Sequence, residues 1–193
     1  MVDPRRGAVQ TERRSGLTPV RGAVRISRAA PGEIDRVAWI GVESYRDHFT
    51  DFWTPAGLEA FLARQFDRAR LAEELAGDAV RYDLVHLDDA LVGFSKAIRD
   101  QPVPLGDGAR GFELQKIYFR RTDTGHGLGA QLLAHVIGAA RLAGEPCVWL
   151  NVLKDNARAG RFYAREGFVV AGEFAYASDR GATTMCVMRR PLV

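Results

Sequence analysis

Cysteine is scarce in this chain. Only Cys147 and Cys186 occur among 193 residues, far apart and each inside an apolar run, CVWLNV and MCVM. A disulfide-stapled scaffold is thereby excluded, and the two read as buried, reduced thiols of a cytoplasmic protein. No CxxC, HxxxH or HExxH spacing is present, His48 and His126 have no partners at ligand spacing, and no metal site is expected. Long apolar runs are missing too. Nothing approaches the ~20 residues of a membrane-spanning helix, and residues 1–28 contain no apolar core of a signal peptide. No membrane partner and a cytoplasmic location follow as expectations. An excess of one charge is also lacking. The net charge is +3, yet residues 1–28 hold seven arginines against Asp3 and Glu12, while the remainder holds 20 basic and 22 acidic residues. Basic character belongs to the N-terminal end, and no aromatic residue interleaves those arginines as base stacking would require. A nucleic-acid partner is not expected.

What is present is an ordinary globular composition, 47% hydrophobic and 26% charged, at the length of one domain. Residues 1–20, rich in Arg, Gly, Thr and Pro and without apolar periodicity, read as a disordered tail before a single domain over 21–193. Val24 and Ile26 alternate with polar residues as in a strand. Pro31 opens a helix with Ile34, Val37, Ala38 and Ile40 on its apolar side. Thr54-Pro55 caps a second helix bearing Leu58, Phe61, Leu62 and Phe66. A third runs from Arg68 to Leu75. Segments 79–87 and 90–98 flank Asp88-Asp89 as a hairpin. Residues 100–111 read as a loop and 112–119 as a strand. Leu128, Leu132, Leu133, Val136, Ile137 and Ala140 mark one face of a helix ending at Gly144. A buried strand (147–152), a helix (156–166) and two strands (168–174, 183–190) complete a mixed α/β domain with one late parallel crossover.

Chemistry concentrates in Thr124-Gly125-His126-Gly127-Leu128-Gly129-Ala130, between the strand 112–119 and the helix that follows. Glycines let backbone N–H groups approach a ligand closely, and the helix start adds the positive end of its dipole. The combination suits a phosphate or pyrophosphate; a tight turn without ligand is the alternative. A P-loop is excluded, because no GxxxxGK[ST] occurs. Gly125, Gly127 and Ala130 satisfy a dinucleotide GxGxx(G/A), but that motif opens a long parallel sheet. Here antiparallel pieces precede it and only 63 residues follow.

Residues 112–168 resemble the GNAT superfamily of N-acetyltransferases. Thr124 to Gly129 matches both glycines of its (Q/R)xxGx(G/A) signature. The strand Glu113-Leu114-Gln115-Lys116-Ile117-Tyr118-Phe119 is similar to its central strand, and Asn156 to Phe168 matches its NxxAxxFYxxxGF block. One departure is Thr124, where the family usually has Arg or Gln; Arg120, Arg121 or His126 would have to compensate. Phe49 to Leu62, together with ELQKIYF, resembles the bacterial spermidine/spermine branch. At fold level the resemblance covers residues 22–190 and implies one α/β GNAT-fold domain, a mostly antiparallel sheet of six to seven strands flanked by helices.

The resemblance also implies roles. Acetyl-CoA is the cosubstrate, without a metal, and a small primary amine such as a polyamine is the acceptor. A protein N-terminus or lysine is the alternative acceptor, and a non-catalytic acyl-CoA-binding or nucleic-acid-associated module the alternative class. Tyr163 would protonate the leaving thiolate, standing clear of the core. Glu113, eleven residues before Thr124, would be the general base. The backbone of Ile117, Tyr118 and Phe119 and the side chain of Asn156 would hold the pantetheine arm. Thr124, Gly125, His126, Gly127, Leu128, Gly129 and Ala130 would hold the pyrophosphate. Tyr45, Phe49, Trp53, Tyr118 and Asn151 would line the acceptor pocket, with Glu43, Asp47 and Asp51 attracting a cationic polyamine. A homodimer is compatible with the reading.

Overall fold

A computed structural model describes residues 22–49, 52–105, 108–124 and 127–192. Gly125, His126, Asp51 and the tail expected over 1–20 lie outside the described residues. Seven strands form one sheet in the order β1-β2-β3-β4-β5-β7-β6. They are β1 Val24–Arg28, β2 Val80–Leu87, β3 Ala90–Pro102, β4 Arg110–Phe119, β5 Cys147–Leu153, β6 Val169–Ser178 and β7 Gly181–Pro191. Neighbours are antiparallel except β4 and β5, which are parallel and joined by the crossover helix α4, Leu128–Leu142. The other helices are α1 Ile34–His48, α2 Pro55–Gln65, α3 Arg68–Ala76 and α5 Ala157–Arg165. The architecture is the single α/β domain anticipated above.

The two faces of the sheet carry separate cores because side chains alternate along each strand. Val37, Ile40, Leu62 and Leu71 of α1–α3 cover Tyr82, Leu84 and Phe94. Leu132, Leu133, Val136 and Ile137 of α4 cover Val85, Ala97, Leu114, Val148 and Leu150 on the opposite face. Asp83 is fully buried on β2. It accepts hydrogen bonds from Arg81 (Nη2 at 2.7 Å) and Ser95 (Oγ at 3.2 Å), and His135 of α4 stands 3.3 Å away.

Several expectations shift at their edges. Pro31–Glu33 forms a 3-10 turn, with Glu33 accepting from the Ala30 N–H at 3.0 Å, so α1 begins at Ile34 and absorbs part of the aromatic segment. Thr54 caps α2 as expected, its Oγ1 accepting from Gly57 N–H at 3.1 Å. The 100–111 loop is shorter than expected, because Gln101↔Gly111 and Pro102↔Arg110 extend the β3–β4 ladder beyond a bulge. Pro102 is tolerated there as the last residue of its strand. Cys147 is buried, but Cys186 is half-exposed, its Sγ 3.7 Å from Glu173 on the neighbouring strand β6.

His86, on β2, is 1% exposed, and neither ring nitrogen finds a hydrogen-bond partner among the described residues. Burial lowers its proton affinity, and Arg25 and Arg36 lower it further. A histidine with a depressed folded pKa contributes its full stability above the unfolded value of about 6.5 and loses it as pH falls through that value. The urea midpoint is therefore expected to drop between about pH 7.5 and pH 5.5, and to drop less in His86→Leu. Identical pH dependence in the two proteins would remove His86 from the account.

Candidate active site

β4 and β5 pair only at Phe112↔Val148 and Glu113↔Trp149. Past Glu113 they separate and leave a wedge between two parallel strands. On its other edge β4 stays paired with β3 through Ile117↔Ser95, Tyr118↔Phe94 and Phe119↔Gly93. Arg120 N–H donates to the Val92 carbonyl at 2.9 Å. Hydrogen-bonded and non-hydrogen-bonded pairs alternate along an antiparallel ladder. The backbone groups of Tyr118 therefore face β3, while those of Ile117 and Phe119 face the wedge. This corrects the expected trio: Tyr118 offers a phenol to the site, not its backbone. The Phe119 carbonyl is engaged by His48 Nε2 at 2.8 Å, so Phe119 keeps only its N–H for a ligand. His48 has this position because α1 ends beside the end of β4, which its spacing in sequence does not reveal.

The start of α4 continues the wedge. Gly127 has φ +75°, a left-handed conformation that glycine adopts without a Cβ penalty, and no side chain among the described residues caps the helix. The first-turn N–H groups of Leu128, Gly129 and Ala130 thus end the helix without intrahelical partners, and Leu128 is anchored by its buried side chain. Thr124 donates its hydroxyl to the Arg121 carbonyl at 3.1 Å and belongs to the turn.

Arg120 and Arg121, named above as substitutes for the missing Arg or Gln at Thr124, are engaged by α1. Arg120 Nε bonds Asp47 at 2.9 Å and its guanidinium lies 3.5 Å from Glu43. Arg121 donates its N–H to Asp47 at 3.0 Å and its guanidinium to the Asp47 carbonyl. The bond from the Arg121 N–H holds the Asp47 carboxyl below its ordinary range, against a partial offset from burial. Glu43 and Asp47 thereby tie α1 to the turn after β4 and are not presented to a polyamine.

α5 supplies two groups. Asn156 caps it, Oδ1 accepting from Ala159 N–H at 3.0 Å, which leaves its amide N–H groups as donors. Tyr163 is 8% exposed and packs against Phe162 and Phe168, with ring centroids 5.1 and 5.7 Å away. It does not stand clear of the core as expected. It is the buried residue of this short helix and anchors it to the sheet. No group among the described residues bonds its hydroxyl. Burial, and to a smaller degree Tyr118, raise its pKa well above that of an ordinary phenol, so it stays protonated.

On the α1–α2 side, Tyr45 stacks on Phe49 at 4.7 Å and meets Tyr118 edge-on at 5.0 Å, while Trp53 stacks on Phe61 at 5.2 Å. The expected lining residues Tyr45, Phe49, Trp53 and Tyr118 thus form one aromatic wall with Phe61. Asn151 lies on the β5 face turned away from α4, and its Oδ1 is buried without a partner among the described residues. Glu113 is half-buried. Burial raises its carboxyl pKa, opposed by Lys116, Gln115 and Lys96.

Two features had no signal in the motifs. Lys116 is 5% exposed, beneath Tyr45 and Phe61. Asp179, in the β6–β7 turn, accepts from the Thr54 N–H at 3.1 Å and from the Thr54 hydroxyl, and Tyr176 stacks on Phe52 at 6.0 Å. A Cβ at Gly57 would collide with the Asp179 carboxylate, so glycine makes room for this clasp. Among the described residues no group of acidic, histidine and cysteine side chains could hold a metal, and no helix is long and apolar enough to cross a membrane.

A split strand pair leading into a glycine-led helix start is the frame of an acyl-group transferase of the GNAT type. Residues 42–168 match the model of the Acetyltransferase (GNAT) family. An uncharacterized N-acetyltransferase of Mycobacterium bovis is 32% identical over 139 residues, 72% of this chain and 85% of that protein. Another, of Lactobacillus delbrueckii subsp. lactis, is 24% identical over 170 residues, 88% of this chain and 98% of the relative. The crystal structure of the PaiA N-acetyltransferase of Thermoplasma acidophilum in complex with coenzyme A shares the fold, with TM-score 0.69 at 16% identity, covering 88% of this chain and 99% of that one. The chain belongs to the GNAT family and is an acetyl-CoA-dependent N-acetyltransferase.

Proposed function

We propose that this enzyme moves the acetyl group of acetyl-CoA directly to the primary amine of a small molecule. The two-position pairing of β4 with β5 carries the reading. It leaves the wedge-facing amide groups of Ile117 and the Phe119 N–H as partners for a pantetheine arm whose pyrophosphate meets the start of α4. Asn156 adds donors from α5. One wedge-facing N–H polarises the thioester carbonyl as negative charge develops on its oxygen. Glu113 removes a proton from the acceptor ammonium, since a protonated amine has no lone pair. The freed nitrogen attacks the carbonyl carbon, the C–S bond breaks as Tyr163 gives its proton to the departing sulfur, and the second proton of the acylated nitrogen passes to the Tyr163 phenolate, which restores the phenol.

The acceptor comes in along the aromatic wall, with Asn151 Oδ1, which has no partner among the described residues, available to an amine N–H. An aliphatic polyamine loses the support expected of α1, because Glu43 and Asp47 hold arginines; an amine with one cationic centre and an apolar body suits the wall better. The clasp from Asp179 to Thr54 joins the two sides of the cleft and favours a small acceptor over a folded protein surface.

Release of free CoA from acetyl-CoA, measured with a panel of small amines and of peptides, tests the reading. Turnover with peptides alone would defeat it. Asp179→Ala is expected to raise the acceptor KM by roughly tenfold with kcat nearly retained, the loss of a charge-assisted hydrogen bond. An unchanged KM would detach the clasp from acceptor binding.

A further inference from the structure

The chain takes nearly all of its positive charge from arginine. Lys96, Lys116 and Lys154 are its only lysines, and two of the three are buried: Lys96 at 0% and Lys116 at 5% exposure. Arginine stays charged wherever it is placed, whereas a buried lysine exchanges its proton in a useful pH range. The two buried lysines face each other across β3 and β4 in the pair Lys96↔Lys116, beside the bulge that leaves Gln115 without a partner on β3.

Their surroundings differ. Lys96 is matched by Glu74 of α3 at 2.8 Å, and Glu74 also accepts from Arg70 (3.0 Å) and Tyr82 (2.5 Å). Lys116 makes no ion pair among the described residues. Its ammonium bonds the neutral oxygens of Gln65 at 3.2 Å and Gln115 at 3.1 Å, and lies over the rings of Tyr45 and Phe61 at 5.8 and 6.0 Å. Gln115 stands between Lys116 and Glu113 along β4. Hydrogen bonds thus run Gln115–Lys116–Gln65, from the strand that carries Glu113 to the end of α2. The charged groups acting on Lys116 are Lys96 from β3, Arg70 and Glu74 from α3, and Glu113 from its own strand; α1 and α2 present the neutral Tyr45, Phe61 and Gln65.

We propose that Lys116, buried on the strand that carries Glu113, is a positioning residue for acetyl transfer: through its own charge it sets how readily Glu113 takes the acceptor's proton. The proposal rests on Glu113 as the base of the proposed function. Burial and the like charge of Lys96 bring the Lys116 ammonium down to about 7, while burial moves the Glu113 carboxyl upward. The two groups therefore approach each other in proton affinity and titrate as a coupled pair. While Lys116 is charged it keeps Glu113 ionised and able to accept a proton. Without that charge, burial pushes Glu113 further toward its protonated, inactive form.

Coupling between two proton sites is reciprocal, which supplies a test independent of turnover. With three lysines in the chain, NMR titration of the Lys116 ε-carbon and the Glu113 carboxyl is tractable in the full-length protein. Lys116→Met is expected to raise the Glu113 midpoint by about one pH unit, and Glu113→Gln to lower the Lys116 midpoint by the same amount. The acid limb of kcat/KM moves up with it in Lys116→Met and stays in place in Lys116→Arg, which keeps the charge. Should Lys116→Met fail to fold, Glu113→Gln still reads the coupling without touching the buried lysine. A Lys116 midpoint indifferent to Glu113→Gln overturns the proposal. If the acid limb vanishes in Glu113→Gln yet ignores the charge at Lys116, only the proposal falls; if it survives Glu113→Gln, the base assignment falls and the proposal with it.

Discussion

Tyr163→Phe is expected to lower kcat by roughly 10- to 1000-fold while leaving acetyl-CoA affinity nearly unchanged. The size follows from the leaving group. A thiol with an ordinary pKa of about 8.5 is a tolerable anion near neutral pH, so losing its proton donor slows departure without abolishing it. The specificity follows from the structure. The Tyr163 ring is part of the core and phenylalanine keeps its packing, while its hydroxyl has no partner among the described residues whose loss would disturb the fold. Burial keeps that hydroxyl protonated across the working range, as a general acid requires. Steady-state kcat, acetyl-CoA affinity by calorimetry, and thermal stability together separate a chemical from a packing role. Equal kcat in the two proteins would assign Tyr163 to packing alone. A thioester with a more acidic thiol should narrow the difference between them, since its sulfur departs more readily unprotonated.

Asp83→Ala is expected to cost about 3–5 kcal/mol of stability, measured by chemical denaturation. The Asp83 carboxylate is completely buried and joins Arg81 and Ser95, with His135 of α4 beside it. Removing it strips Arg81 of its counter-charge and leaves the fully buried Ser95 hydroxyl without its acceptor. Asp83→Asn keeps the volume and part of the hydrogen bonding, so a smaller loss is expected. A loss in Asp83→Ala no larger than that of an exposed ion pair, under about 1 kcal/mol, would contradict the assignment.

Much of the fold was legible from local pattern. The Thr54-Pro55 start of α2, the inward stripe of α4 and the Asp88-Asp89 hairpin turn emerge as expected, because capping, helical period and turn chemistry act over a few residues. The limits of β3 and β4 did not, since pairing across a bulge decides whether a Pro/Gly-rich stretch becomes strand or loop. In the site, the Gly127-led helix start agrees with the motif reading. That Arg120 and Arg121 are held by Asp47 of α1 was not legible, because Asp47 lies more than 70 positions earlier in the chain.

The order of elements, the one parallel crossover and the family were already determined by the 193 residues, since each is written in short-range periodicity and in three spaced motifs. Which side chains meet was settled only by the packing of distant segments: His48 on the Phe119 carbonyl, Asp179 on Thr54, and Lys116 under two rings without a counter-ion in contact among the described residues. Charges take their meaning from their neighbours in space, and those neighbours sit many tens of residues apart along the chain.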